Sequence, residues 1–242
     1  MNISFAGMTD VGRVRARNED ALLLRPQRGL FAVADGMGGH AAGDIASRIA
    51  IDVLDERTTD AAGDMEGALA EGIRAGHEAI LKAARADSDL HGMGTTLTAL
   101  HVGEGGCVIA HVGDSRAYRW RAGSLEQLTR DQTWVQDQVD AGLLAPERAR
   151  DHPFAAMLTC ALGIEDVDLD IQTIRPLCEP EETYLLCSDG LVARLDDDEV
   201  RRVLLENGSD LDAAARALID SANRAGGPDN ITVALVRLES AE

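Results

Sequence analysis

No apolar run in the sequence approaches the roughly 18 residues that a helix needs to cross a bilayer. The first four residues lack the charged and apolar regions of a signal peptide, so we expect a cytoplasmic protein without membrane association. Cysteines are few and far apart, and Cys107, Cys160, Cys178 and Cys187 show no metal-ligand spacing. Cys107 and Cys187 lie in apolar, strand-like runs, which predicts buried and reduced thiols.

Basic residues are also scarce. The 242-residue chain has 42 Asp and Glu against 23 Lys and Arg, a formal charge of -19. A field of that sign repels nucleic acid and anionic membranes, so we expect neither as a partner. Nothing in the sequence reads as a linker, and we expect one domain over residues 1–242.

Apolar periodicity predicts an interleaved α+β order. Short apolar runs predict strands at Ala21–Leu24, Leu30–Ala34, Thr95–Val102, Cys107–Val112, Ala117–Trp120, Thr183–Cys187 and Ile231–Leu238. Two helices are expected between Asp44 and Ala86. The polar, helix-leaning residues from about 129 to 163 look like an excursion from the core.

A second pair of helices is predicted late in the chain. Asp196 with Glu199 three residues later forms a capping-box pattern, and the helix should end at Asn207-Gly208. Ser209 with Asp212 predicts the start of the next helix.

Aspartate borders four of the predicted strands, at Asp35, Asp114, Asp189 and Asp229. One Asp-Gly pair is an ordinary turn signal, but strand ends of neighbouring sheets can converge. Hard cations such as Mg²⁺ and Mn²⁺ prefer oxygen ligands. Two such ions about 4 Å apart bridge a water, lower its pKa and stabilise in-line displacement at phosphorus. Convergent aspartates without His or Cys ligands suit that chemistry.

The segment from Thr9 to Asp20 places three arginines among carboxylates. A forked guanidinium is useful where phosphate docks near metal. Spacing alone, however, favours an exposed loop whose ion pairs contribute little.

Taken together, six ordered blocks resemble the bacterial branch of the type-2C metal-dependent serine/threonine protein phosphatases. The blocks lie at residues 10–20, 35–40, 94–96, 113–116, 185–190 and 229–230. The resemblance implies a four-layer α-β-β-α sandwich of two mainly antiparallel sheets flanked by helix pairs. It also implies metal-dependent hydrolysis of phosphoserine and phosphothreonine, opposing a bacterial Ser/Thr kinase. Type VI secretion control is one setting in which such stand-alone domains serve.

The resemblance assigns the metal ligands residue by residue. Asp35 would bridge two core Mn²⁺ or Mg²⁺ ions, and the carbonyl of Gly36 would bind the second ion. Asp189 and Asp229 would complete the first ion. Asp114, together with Asp189, would bind a weaker third ion.

Further roles follow from the same resemblance. Arg15 would receive the substrate phosphate and would act with Asp35 in catalysis, while Glu19 and Asp20 would hold metal-bound waters in the outer shell. Residues 131–163 would form a flap next to the site. The expected partners are phosphorylated proteins, including a Ser/Thr kinase, and the expected state is a monomer.

One departure concerns the general acid. Eukaryotic relatives often have histidine directly after Asp-Gly, whereas this chain has Met37. His40 follows three residues later, but a structural histidine at a helix start explains it at least as well. The general acid is therefore unassigned.

Two other classes of protein are alternatives. Residues 36–41 fit a loose dinucleotide fingerprint, but the expected second strand ending in an acidic residue is missing, which argues against a Rossmann dehydrogenase. A catalytically inactive phospho-binding module of the same fold is the other alternative. Intact Asp35, Asp189 and Asp229 argue against it.

Overall fold

The computed structural model describes residues 2–38, 42–59, 61, 63–165 and 168–239. Its strands are β1 (Asn2–Asp10), β2 (Ala21–Arg25), β3 (Leu30–Ala34), β4 (Gly36–Met37), β5 (Gly94–Thr95), β6 (Leu97–Gly103), β7 (Gly106–Val112), β8 (Arg116–Arg121), β9 (Ser124–Gln127), β10 (Gln172–Ile174), β11 (Thr183–Cys187) and β12 (Ile231–Glu239). Its helices are α1 (Gly43–Arg57), α2 (Met65–Ala86), α3 (Trp134–Asp140), α4 (Pro146–Ala149), α5 (Asp189–Val192), α6 (Asp197–Asn207) and α7 (Leu211–Arg224). Within the described residues, no helix is long and apolar enough to cross a membrane.

Two five-stranded antiparallel sheets form the centre of the fold. Their strand orders are β1-β12-β11-β8-β9 and β10-β7-β6-β3-β2. Helices α1 and α2 pack against the second sheet, and α5, α6 and α7 pack against the first. The four-layer sandwich expected from the resemblance is confirmed. Because the strand pairs in the described part of the chain are antiparallel, the parallel sheet of a Rossmann dehydrogenase is excluded.

Strand β3 shows why a central strand of this fold reads as one continuous apolar run. Leu30, Ala32 and Ala34 pack beneath the helices, whereas Phe31 and Val33 fill the space between the two sheets. Both faces are therefore buried, and a shift of one residue would exchange the two sets. The end of β3, and the residue that follows it, is fixed by this packing.

Six of the seven predicted strands are present, β3 and β11 with the predicted ends and the other four with ends shifted by one residue. The predicted strand Thr95–Val102 is divided: β5 pairs with β4, and β6 joins the main sheet. Four strands were not predicted, namely β1, β4, β9 and β10.

The second helix pair is confirmed, with one correction. Asp196 and Glu199 form the predicted capping box, and α6 ends at Asn207. The prediction that Ser209 caps the next helix is wrong. Asp210 is the N-cap, and its side chain accepts a hydrogen bond from the backbone N–H of Ala213 at 3.1 Å.

The expected reduced thiol at Cys107 is also wrong. Cys107, in β7, forms a disulfide with Cys178, with 5.5 Å between their Cα atoms. Strand β10 runs antiparallel to β7, so the residues after Ile174 travel towards the start of β7 and bring Cys178 to Cys107. This proximity depends on sheet topology, and a separation of 71 residues conceals it. Cys160 and Cys187 are buried free thiols.

Candidate metal centre

The ends of four strands bring aspartates to one cleft. Asp35 follows β3, Asp114 follows β7, Asp189 follows β11 as the first residue of α5, and Asp229 precedes β12. All four line a cleft of about 360 Å³. Strands β3 and β7 belong to one sheet and β11 and β12 to the other, so the cleft lies where the ends of both sheets meet.

Arg15 is the one basic residue among the described residues that line this cleft. Its Nη2 donates a hydrogen bond to Oδ2 of Asp229 at 2.7 Å, and half of its side chain remains exposed. Glu19 also lines the cleft, whereas Arg13 and Arg17 do not. The structure therefore distinguishes Arg15 from its two neighbouring arginines, which spacing alone could not do.

The carboxylates of the cleft are costly to charge. Burial raises the pKa of Asp35 well above its ordinary range, and the charges of Asp20, Asp189 and Asp114 raise it further. Burial also raises the pKa of Asp114 and of Asp189, although a hydrogen bond with Asp35 lowers that of Asp189. Buried like charges of this kind are stabilised by a bound cation.

Asp20 lies behind the lining of the cleft, in a network of hydroxyl groups. Its Oδ2 accepts hydrogen bonds from Oγ of Ser188 at 2.8 Å and from Oγ1 of Thr232 at 2.6 Å. Within the described residues, its Oδ1 is buried without a hydrogen-bond partner. Burial, with the nearby charges of Asp189 and Asp229, raises the pKa of Asp20 to about 7 despite the two hydroxyls. This orphaned oxygen, in a donor set of oxygens alone, fits a divalent cation or a water bound to one.

The threonines of the Gly94-Thr95-Thr96 block hold Asp35 in place, a role that the sequence did not reveal. The backbone N–H of Asp35 donates to Oγ1 of Thr96 at 3.0 Å. Its carbonyl accepts from Oγ1 of Thr95 and from the N–H of Thr96, both at 2.9 Å. Oγ1 of Thr96 is also hydrogen-bonded to Oγ of Ser115 at 2.6 Å. Both the backbone N–H and the backbone carbonyl of Asp35 are therefore hydrogen-bonded, which fixes the position of its side chain.

Gly36 is required by close packing. A Cβ at this position would collide with the backbone oxygens of Gly43 and Glu19. The chain after Asp35 therefore packs directly against the first turn of α1, and Gly36, Met37 and Gly38 line the cleft.

The described side chains converge on the cleft without closing around a single point. Among the residues that the structure describes, no group of three His, Cys, Asp or Glu is arranged to enclose an ion. Asp229 contributes to this arrangement, because Arg15 engages its Oδ2 and the N–H of Asn230 donates to its Oδ1 at 2.9 Å. The expected ligands are therefore neighbours in one cleft, and Asp229 is shared with Arg15.

No histidine is found among the described residues that line the cleft, and Met37 lines it at the predicted position. His40 falls outside the described residues. A larger cavity of about 680 Å³ continues from the cleft through Asp114 and Asp189, between α3, α4 and the start of α6.

Carboxylates that converge beside a guanidinium are typical of a class of protein that binds hard divalent cations and an anion. The family model for protein phosphatase 2C matches residues 12–223. The chain belongs to the protein phosphatase 2C family, and the family resemblance is confirmed.

Three relatives illustrate the similarity. The Ser/Thr protein phosphatase PstP of Mycobacterium tuberculosis is 40% identical over 232 residues, which are 96% of this chain and 44% of PstP. The chain therefore spans less than half the length of that relative. A crystal structure of the PstP catalytic domain with two manganese ions has a TM-score of 0.88 and 38% identity, covering 98% of this chain and 99% of that one.

The other two relatives match along nearly their whole length. The Ser/Thr phosphatase stp of Listeria welshimeri is 39% identical over 236 residues, which are 94% of this chain and 93% of stp. The structure of PppA, described as a key regulatory component of the type VI secretion system in Pseudomonas aeruginosa, has a TM-score of 0.87 and 37% identity. It covers 98% of each chain.

Proposed function

We propose that this protein is a metal-dependent phosphatase that hydrolyses phosphoserine and phosphothreonine in other proteins. The observation that carries the proposal is the convergence of Asp35, Asp114, Asp189 and Asp229 with Arg15 in one cleft. Carboxylates of this kind bind Mg²⁺ or Mn²⁺, and a guanidinium binds phosphate through paired hydrogen bonds. Membership of the protein phosphatase 2C family and the manganese in the PstP crystal structure support the same chemistry.

The residues take the roles expected from the family. Asp35 would hold both core ions, Asp189 and Asp229 would hold one of them, and the carbonyl of Gly36 would bind the second. Asp114, with Asp189, would hold a weaker third ion. Divalent ions bound there supply a water of lowered pKa and offset the charge that develops at phosphorus.

The remaining side chains orient the reactants. Arg15 reaches the cleft from its exposed segment and fixes the phosphate beside the carboxylates. Glu19 and Asp20 orient water in the outer shell, and the hydroxyls of Ser188 and Thr232 hold Asp20 in its rotamer. The thioether of Met37 carries no proton to donate to a leaving alkoxide.

The proposal extends to the domain organisation and the partners. Residues 1–242 act as one catalytic domain, and residues 131–163, which hold α3 and α4, act as a flap. Two hydrogen bonds support this placement beside Asp114. The N–H of Gly113 donates to Oε1 of Gln132 at 2.7 Å, and the N–H of Gln132 donates to the carbonyl of Gly113 at 2.8 Å. The substrates are cytoplasmic phosphoproteins, including a Ser/Thr kinase, and the protein acts as a monomer. The similarity to PppA supports a setting in type VI secretion control.

Phosphate release from a phosphothreonine peptide tests the proposal. Release should require added Mn²⁺ or Mg²⁺, stop with a chelator, and be lost in Asp35→Asn. Binding of the phosphopeptide without metal-dependent release would instead identify the inactive phospho-binding module. Titrating Mn²⁺ and Mg²⁺ separately ranks the two ions.

A further inference from the structure

The segment that carries Arg15 and Glu19 has little to hold it in place by itself. Residues 11–19, called here the Arg15 segment, form neither helix nor strand. Its apolar side chains do not anchor it, because Val14 is 71% exposed and Val11 is 36% exposed. Polar contacts must therefore fix the position of Arg15 relative to the cleft.

Asn230 makes three of those contacts with a single buried side chain. Its Nδ2 donates to the carbonyl of Val11 at 3.0 Å and to that of Arg17 at 2.8 Å. Its Oδ1 accepts from the backbone N–H of Glu19 at 2.8 Å. Asn230 is 4% exposed, and both side-chain N–H groups and the side-chain carbonyl are used in hydrogen bonds. The three bonds reach the segment on both sides of Arg15.

The start of the Arg15 segment lies directly on the chain before Asn230. Gly12 has φ +80°, and a Cβ there would collide with the carbonyl oxygen of Asp229. The N–H of Arg13 donates to the carbonyl of Gly227 at 2.7 Å. The Arg15 segment and residues 227–230 therefore form one unit, in which the guanidinium of Arg15 meets the carboxylate of Asp229 at 2.7 Å.

We propose that Asn230 is a positioning residue that fixes Arg15 for phosphate docking. The inference rests on the proposed function and adds to it the residue through which Arg15 is placed. An asparagine suits the position because it supplies two donors and one acceptor from a short side chain. An ionised aspartate of the same shape has acceptors only, so it loses the bonds to Val11 and Arg17 and sets a carboxylate against two carbonyls.

Hydrogen exchange tests the positioning without any turnover. In Asn230→Asp, amide exchange measured by mass spectrometry on the metal-free protein should rise at least about 10-fold in residues 11–19. Exchange in β3 should not change. Asn207→Asp is the matched control, because its Nδ2 also donates to a backbone carbonyl, that of Val203 at 3.0 Å, but on α6. Unchanged exchange in residues 11–19 of Asn230→Asp would overturn the inference, whether or not the wild-type protein is a phosphatase.

Kinetics test the route through Arg15. With a phosphothreonine peptide and saturating Mn²⁺, Asn230→Asp should lower kcat/KM at least about 10-fold, with most of the effect in KM. In the Arg15→Ala background the same substitution should cost less than about 2-fold, since the residue it positions is gone. Calorimetric Mn²⁺ affinity should stay within about 3-fold of the wild type.

Three results contradict the route. Equal losses in the wild-type and Arg15→Ala backgrounds would show a merely structural role for Asn230. A large loss of Mn²⁺ affinity would show that Asn230 acts through Asp229 instead. A fully active Asn230→Asp variant would refute the inference and leave the phosphatase assignment intact. An inactive wild-type protein would refute the phosphatase assignment, and the exchange experiment would then decide whether Asn230 positions the Arg15 segment.

Discussion

Replacing Asp35 by asparagine separates the charge repulsion within the carboxylate cluster from the proposed role of the cluster in binding metal. The substitution keeps the shape of the side chain and removes one negative charge from the cleft. Burial and the charges of Asp20, Asp189 and Asp114 already raise the pKa of Asp35. Relief of this repulsion should leave the melting temperature of the metal-free protein unchanged or raise it. The same change should abolish turnover, since Asp35 is the proposed ligand of both core ions.

The expected effect on metal-induced stabilisation follows from linkage. At Mn²⁺ 100 times above its dissociation constant, one site stabilises the wild-type protein by about 2.7 kcal/mol. For a domain of this size that corresponds to roughly 5–10 °C in melting temperature. Loss of an outer-shell partner alone costs about 10–100-fold in affinity, so loss of Asp35 should cost at least about 100-fold. The stabilisation at the same Mn²⁺ concentration then falls to about 0.4 kcal/mol, roughly 1 °C.

Melting curves with and without Mn²⁺, together with phosphopeptide turnover, measure both effects. The matched control is Asp220→Asn, which removes one charge from an exposed position on α7 and should behave like the wild type. An Asp35→Asn variant with an undiminished Mn²⁺ shift would refute the assignment. So would more than about a tenth of the wild-type kcat at saturating Mn²⁺, because that is a loss of only ~1.4 kcal/mol.

Three further predictions concern other sites. Arg15→Ala should lower kcat/KM at least about 10-fold, with partial recovery in Arg15→Lys and none of the loss in Arg13→Ala; equal loss in both alanine variants would remove the docking role. Asp114→Ala should strongly lower phosphopeptide turnover but keep two tight Mn²⁺ sites by calorimetry, and loss of a tight site would place Asp114 in the core. Burial lowers the pKa of His111 from 6.5 to about 4, so the neutral form is the native one. The free energy of unfolding should be unaffected by His111 above about pH 6.5 and fall by about 3 kcal/mol as the pH drops to about 4. In urea titrations at several pH values, the free energy of unfolding of His111→Gln should lose that part of its pH dependence. The same dependence on pH in the variant and the wild type would contradict the prediction.

Local sequence patterns were enough to predict the strands that are buried on both faces, because such strands are continuous apolar runs. Strands β3 and β11 appear at their predicted positions because residues 30–34 and 184–187 form short apolar runs that are buried on both faces. The aspartate after each strand could then be placed at a strand end, and four such ends suggested convergence. The helix predicted after α6 is present as α7, in which Leu211, Leu218 and Ile219 are buried.

Other features depend on partners far along the chain and could not be read locally. Strand β1 is half-exposed and carries Gly7 and Thr9, so its sequence lacks a strand signal. The strand forms because nine of its residues pair with β12. The disulfide between Cys107 and Cys178 depends on the pairing of β10 with β7. The distinction of Arg15 from Arg13 and Arg17 likewise depends on how their segment lies against residues 227–230.

The packing of the sheets explains how the cleft can hold its carboxylates together. Repelling charges on a mobile loop would move apart and become solvated, which would lower both the repulsion and the affinity for a cation. Asp35 cannot move away, because both faces of β3 are buried and Thr95 and Thr96 bind its backbone on either side. Asp20 is restrained in the same way by Ser188 and Thr232. The stability of the two sheets is thus what keeps the repulsion in place, and relief of that repulsion favours binding of a divalent cation. Metal affinity and the stability of the fold should therefore be coupled in this protein, and variants that loosen the end of β3 should weaken metal binding without touching a ligand.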